Sequence, residues 1–509
     1  VPVARSAAEI AADAAAIIAR AEAIVAEAAG TGGLYSNPYG HPRPGRYPTE
    51  RQTKRRNTLV TVAAAIATAV VVILLVGTGV VGNPTDTANN SERQRQGADD
   101  DPSGRGPSGE DTQNPQFARK DLEAVIATRS RALAGGDADA FVAAIDPAAT
   151  ELIAEQRRLF ANLKRFPFAE ARYTASADPV RTAVDRGRPS ADVVVSFVHR
   201  VEGADPEPVA ENYRWRFVRA VADAPLTLIS VAAAPYYGVT YPMPWGDQVD
   251  LVVEQRPHVV LAVSLAQRAK AAAWADKAET AAQRDLAAWR GPRLPVTRFL
   301  VYVTPDRKTF DEISASRELG EAAGVCASLA PNKSVPLDDT TTRWTGCRVF
   351  LDGSGNAFGT RNDQILMSLV EHELGHAMVA PFAPVRAEIP TWVAEGFAES
   401  LPWSDPSTGG GYNPTVREHL AGGTFTGRLP TDADVYSADP DTADAYYHYS
   451  MQAIRYLAEE FGTDKAHTFV VETYRDPSRL DAALTAATGL DRAGFESRWA
   501  DYVKRNPGS

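Results

Sequence analysis

His372, Glu373 and His376 stand together in the stretch "SLVEHELGHAMVAPF", residues 368–382, of a chain that holds 8 histidines among 509 residues. On a helix, residues four apart share a face with Cβ atoms about 5–6 Å apart, so imidazoles at 372 and 376 can reach one metal ion. Glu373 projects beside that ion, where its carboxylate can take a proton from water. This H-E-x-x-H spacing arises by chance in on the order of one such chain in a hundred, so further ligands must be sought. A hydrolytic zinc site takes three protein ligands and keeps one position open. Pro381, Pro384 and Pro390 end the first helix and force a turn. The stretch "PTWVAEGFAESLPW" then starts a second helix, with Thr391 expected at its N-cap. That helix offers Glu395 as the third ligand and, one turn on, Glu399 as acceptor for the outer nitrogen of a ligand histidine. Trp392, Val393 and Phe397 make the helix pack inward, where an unpaired carboxylate would be costly.

The elements that must carry these groups are legible from periodicity. Ile365, Leu366, Leu369, Val370, Leu374, Ala377 and Met378 recur mostly at spacings of three and four, an amphipathic helix with Asn362 or Asp363 as N-cap. Upstream, "HVVLAV", "TRFLVYVT" and "CRVFL" read as strands, and residues 264–289 as a long helix. Residues 241–509 are therefore expected to form a mostly helical domain with a small mixed sheet. Residues 117–240 are read as a separate unit, helical at first and then with strands at "ADVVVSFVHRV", "YRWRFVRAV" and "LTLISVA". Helices followed by an antiparallel meander is an α+β order, so the fold class is α+β and multidomain. The element order of 117–240 resembles the cone-shaped nuclear-transport-factor-2-like (NTF2-like) fold. With no polar cluster legible there, a structural or docking role is expected.

The pair "VEHELGHAMV" and "WVAEGFAE" at this distance resembles the gluzincin metallopeptidases, in particular the bacterial peptidase-MA-like families. The resemblance covers roughly residues 250–505 and implies a zinc-dependent peptidase. It further implies a tyrosine that steadies the oxyanion. Matching "DAYYHYSMQAIRYLAEEFG" to the family helix puts Tyr447 in that role, with Tyr446 and Tyr449 as rivals. The amine-gripping G-x-M-E-N segment of gluzincin aminopeptidases is not matched by "FLDGSGNAFGTR", so an endopeptidase is favoured.

Residues 58–82 carry no charge and are long enough to cross a bilayer as one helix. Arg46, Arg51, Lys54, Arg55 and Arg56 precede them, which places residues 1–57 in the cytoplasm by the positive-inside rule. A cleaved signal peptide has a shorter apolar core, of about 7–15 residues, so a membrane anchor is the expectation. Residues 83–116 lack the apolar content to fold and read as a disordered extracytoplasmic linker, as does most of the cytoplasmic segment. Outside the cytoplasm Cys326 and Cys347 can form a disulfide closing a loop of about 20 residues, worth roughly 3 kcal/mol; two separate buried thiols are the alternative. The net charge of -11 excludes a nucleic-acid binder in any simple reading. The function expected is a membrane-anchored extracytoplasmic zinc peptidase acting on peptide or protein substrates outside the cytoplasm. The alternative is a membrane-tethered binding or scaffold protein whose zinc site is structural.

Overall fold

The structure is a computed structural model. It describes residues 117–507, apart from 177–179, 186, 222–223, 235–242, 247–248, 315–321, 333–338, 356–357, 359–362, 386, 402–413 and 438. The expected cytoplasmic segment, membrane span and linker lie outside the described residues. Among the described residues no helix is long and apolar enough to cross a membrane. Among the described residues, 117–437 and 441–507 belong to one unit.

Its first part opens with helices α1 (Arg119–Gly135), α2 (Ala138–Val142) and α3 (Thr150–Leu163). Gly136, at φ 76°, closes α1, and the Asp137 side chain caps α2 by accepting from the N–H groups of Asp139 and Ala140. Five strands follow: β1 (Phe168–Ala175), β2 (Arg181–Asp185), β3 (Arg188–Val201), β4 (Val209–Val218) and β5 (Thr227–Ala233). Their sheet is antiparallel, in the order β1-β3-β4-β5, and the long β3 also pairs β2 along its first five residues. The mixed helix-and-sheet class is as expected. β1 and β2 were not legible, being half-buried or exposed along most of their length.

Strand register turns one face of this sheet inward, and that face is not purely apolar. His199, Glu211 and Tyr213 share it with Phe197, Trp215 and Phe217. Tyr213 donates to Glu211 Oε2 at 2.5 Å, the Trp245 indole donates to Oε1 at 2.9 Å, and His199 Nε2 lies 3.0 Å from Oε1. Arg129 of α1 donates to Gln156 of α3 and stacks on Phe141, 3.7 Å from the ring centre. The expectation that this stretch lacks a polar cluster is thus corrected. Its members are scattered in sequence and meet only through register and helix packing.

The second sheet contains β6 (Leu251–Gln255), β7 (Val259–Ser264), β8 (Phe299–Thr304), β9 (Gly324–Leu329) and β10 (Gly346–Asp352), in the order β6-β7-β8-β10-β9. The inner pairs β7–β8 and β8–β10 are parallel, and both edge strands run antiparallel to their neighbours. Helix α4 (Arg268–Ala288) makes the crossover from β7 to β8, and α5 (Arg307–Ser314) follows β8. Both faces are covered, which is why the central strands read as largely apolar runs, broken in β10 by Arg348. Val259, Leu261, Val263, Val301, Val303, Val349 and Leu351 pack with the alanine stripe of α4. Val260, Ala262, Leu300, Tyr302 and Phe350, at the alternate positions, join the core of the first sheet. Arg348, on β10, holds Asp205 with two bonds of 2.6 and 2.7 Å, both side chains wholly buried.

Among the described residues the α-helices that follow are α6 (Asp363–Val379), α7 (Thr391–Ser400), α8 (Pro414–Ala421), α9 (Asp432–Val435), α10 (Pro440–Phe461), α11 (Thr463–Arg475), α12 (Leu480–Thr488) and α13 (Arg492–Arg505). Cys326 of β9 and Cys347 of β10 are joined in a disulfide across the two strands.

Candidate metal centre

Burial of Leu366, Val370, Leu374, Ala377 and Met378 fixes the roll of α6, with Ile365 the exposed exception. His372 and His376 are thereby left on the helix side away from that stripe. Glycines then set how closely the neighbouring helices approach. A Cβ on Gly375 would stand 2.9 Å from Leu401 Cδ1 and 3.0 Å from Ala398 Cα, and one on Gly396 would stand 2.4 Å from the carbonyl oxygen of Ser450. So α7 lies against α6 at Gly375, and α10 lies against α7 at Gly396. The N-cap of α7 is Pro390 rather than Thr391, and the Asp432 side chain accepts the Thr391 N–H at 3.2 Å. Proline has no hydroxyl to offer, so the cap comes from another segment.

This packing brings His372, His376 and Glu395 together. The two Nε2 atoms are 3.3 Å apart, and Glu395 Oε2 is 3.5 Å from each. Ligands at about 2.0–2.1 Å from a tetrahedral zinc are separated by roughly 3.3–3.4 Å, so the donor set and its spacing fit that ion. Glu399 Oε2 lies 3.0 Å from His372 Nδ1, on the outer side of the ring. Glu373 is buried beside the pair, against the first residue of β9, where a Cβ on Gly324 would stand 2.5 Å from its Oε1.

Residues 340–505 match the Peptidase MA superfamily. The match supports a gluzincin-type peptidase superfamily, and with it peptidase activity in general, for this part of the chain. It spans β10 and all of α6 to α13, and so every residue of the cluster, while β9 and Gly324 lie before it. Among curated proteins no match to the chain is found.

Within the matched stretch Tyr446, Tyr447 and Tyr449 of α10 part company. Tyr446 packs 5.4 Å from the ring of His419 on α8, and the Tyr449 hydroxyl lies 3.2 Å from His419 Nδ1. Tyr447 instead senses Glu395, Glu373 and Glu399; burial and those carboxylates push its hydroxyl far above the ordinary range, so it stays protonated. The charges of the cluster are coupled in the same way. Burial opposes a charge on His372, but hydrogen bonds to Glu395 and Glu399 outweigh it and hold the imidazole well above its usual value. Burial also opposes ionisation of Glu395, yet His376 and His372 hold its carboxyl well below the carboxylate range. Glu373 is pushed up by burial, with His372 and His376 partly offsetting it.

Sequence reading missed two neighbours of the cluster. Gly324 sits in "AGVCASL" and Tyr436 in "DVYSAD", neither of which carries a motif. Only the edge position of β9 and the anchoring of α9 to α7 bring them to the site.

Proposed function

We propose that the chain is a membrane-anchored extracytoplasmic zinc endopeptidase. The observation that carries this reading is the approach of His372, His376 and Glu395 at tetrahedral-edge spacing with the Glu373 carboxylate alongside. His372 and His376 would hold zinc through Nε2 and Glu395 through a carboxylate oxygen. When bound, the ion polarises a carbonyl and lowers the pKa of water toward 7. Glu373, its proton affinity raised by burial, takes the proton of the attacking water and passes it to the leaving amine. The protonated Tyr447 hydroxyl donates to the carbonyl oxygen as negative charge develops there, a contribution of about 3 kcal/mol for donors of this kind. Glu399 accepts from His372 Nδ1, which fixes the ring and leaves Nε2 free for the metal.

An extended peptide is a natural guest, because β9 is an edge strand whose first residue abuts Glu373, and edge strands pair with added strands. The Cys326–Cys347 disulfide agrees with an oxidising compartment, and residues 58–82 supply the anchor in this reading. The deciding experiment is metal analysis of the full chain combined with cleavage of a peptide library. About one zinc per chain with zinc-dependent cleavage supports the reading. Stoichiometric zinc without any cleavage would leave a structural site.

A further inference from the structure

Tyr436 is the one aromatic among the strongly exposed large hydrophobic side chains of the described residues, at 54%. Its exposure does not come from a loose segment. The Thr431 N–H and hydroxyl both donate to Asp434, at 2.9 and 2.7 Å, capping α9. Asp432 is bonded to the first N–H of α7, and the Tyr436 N–H closes on the Asp432 carbonyl at 2.9 Å. Thr391 begins α7, and Glu395 is one helical turn further on the same face. Through Asp432, Tyr436 is therefore held at the start of α7, about one turn from the proposed metal ligand, while about half of the residue stays open.

We propose that Tyr436 is a substrate-contacting residue whose open ring seats an aromatic or bulky apolar side chain of the peptide beside the scissile bond. Aromatic faces favour aromatic and aliphatic partners, and the Asp432 carboxylate on the same short helix disfavours an acidic one. This inference rests on the peptidase reading and deepens it to a substrate preference.

The test uses the full-length, zinc-loaded chain and a set of fluorescent peptides differing only in one side chain next to the cleaved bond: Phe, Leu, Ala or Asp. Wild type is expected to favour Phe and Leu over Ala by about tenfold in kcat/KM, with Asp poorest. Tyr436→Ala should level that preference mainly through KM, and Tyr436→Phe, which keeps the ring, should retain it. An unchanged preference in Tyr436→Ala overturns the proposal. So does an equal loss for every peptide accompanied by a lower melting temperature, which marks a purely structural role. Anisotropy of the same peptides on the Glu373→Gln chain separates the two readings. Selective binding that Tyr436→Ala levels sustains the contact even if wild type cleaves nothing, whereas binding without selectivity removes it whether or not cleavage occurs.

Discussion

Gly324 and Glu373 touch through the one spot where a side chain is missing: a Cβ at 324 would stand 2.5 Å from Glu373 Oε1 and 2.8 Å from its Cγ. No left-handed backbone requires glycine there, so the residue serves by leaving room. Gly324→Ala should push the carboxylate aside and lower kcat by about a hundredfold, while zinc stays bound. Wild-type turnover in that variant would show that the carboxylate finds its place without the gap.

Glu373→Gln keeps the shape of the side chain and removes its ability to take a proton. Hydrolysis should fall by about 10²–10⁴-fold or more, with zinc content unchanged by atomic absorption. A scaffold protein with a structural ion would show no activity to lose.

The ligand and the residue behind it should separate on zinc titration. Glu395→Ala removes one of three donors and should abolish stoichiometric binding. Glu399→Ala leaves all three in place and should weaken affinity by about 10–100-fold, through the looser His372 ring. Equal effects of the two substitutions would contradict the division of roles.

His467, which packs on Phe397 of α7, supplies a pH test outside the His372, His376 and Glu395 cluster. It is buried against Trp289, its Nδ1 accepts the Arg290 N–H at 2.9 Å, and burial together with Arg290 lowers its pKa to about 4. Unfolded histidine titrates near 6.5, so from there down to about pH 4 the unfolded chain binds a proton that the folded chain refuses. Stability should be full above that window and fall by roughly 3 kcal/mol across it. Thermal melts of metal-free protein at pH 7 and pH 5 should differ less for His467→Gln than for wild type. Parallel pH responses would show that His467 is protonated in the fold.

How much of this was open to sequence reading depends on how locally each feature is encoded. Helices α6 and α7 declare themselves by spacing and by proline, and the convergence of His372, His376 and Glu395 follows once α7 must pack inward. The central strands β7, β8 and β10 are buried throughout and largely apolar, and stood out, whereas the edge strands β6 and β9, only partly buried, did not. The Thr391 cap was misplaced because the group that caps α7 comes from Asp432, which no local pattern announces. Local sequence does not separate Tyr446, Tyr447 and Tyr449; only the roll of α10 turns Tyr446 and Tyr449 toward His419. The polar interior of the first sheet was invisible for the same reason: residues 129, 156, 199 and 211 are brought together by tertiary structure alone.

The pairing of Arg348 with Asp205 bears on any attempt to isolate the part that matches the Peptidase MA superfamily. A chain cut near residue 240 would strand a guanidinium inside β10 with no counter-charge, and it would strip Leu300, Tyr302 and Phe350 of their cover. The upstream sheet is therefore no detachable passenger; it is the other wall of the house in which the His372, His376 and Glu395 cluster stands.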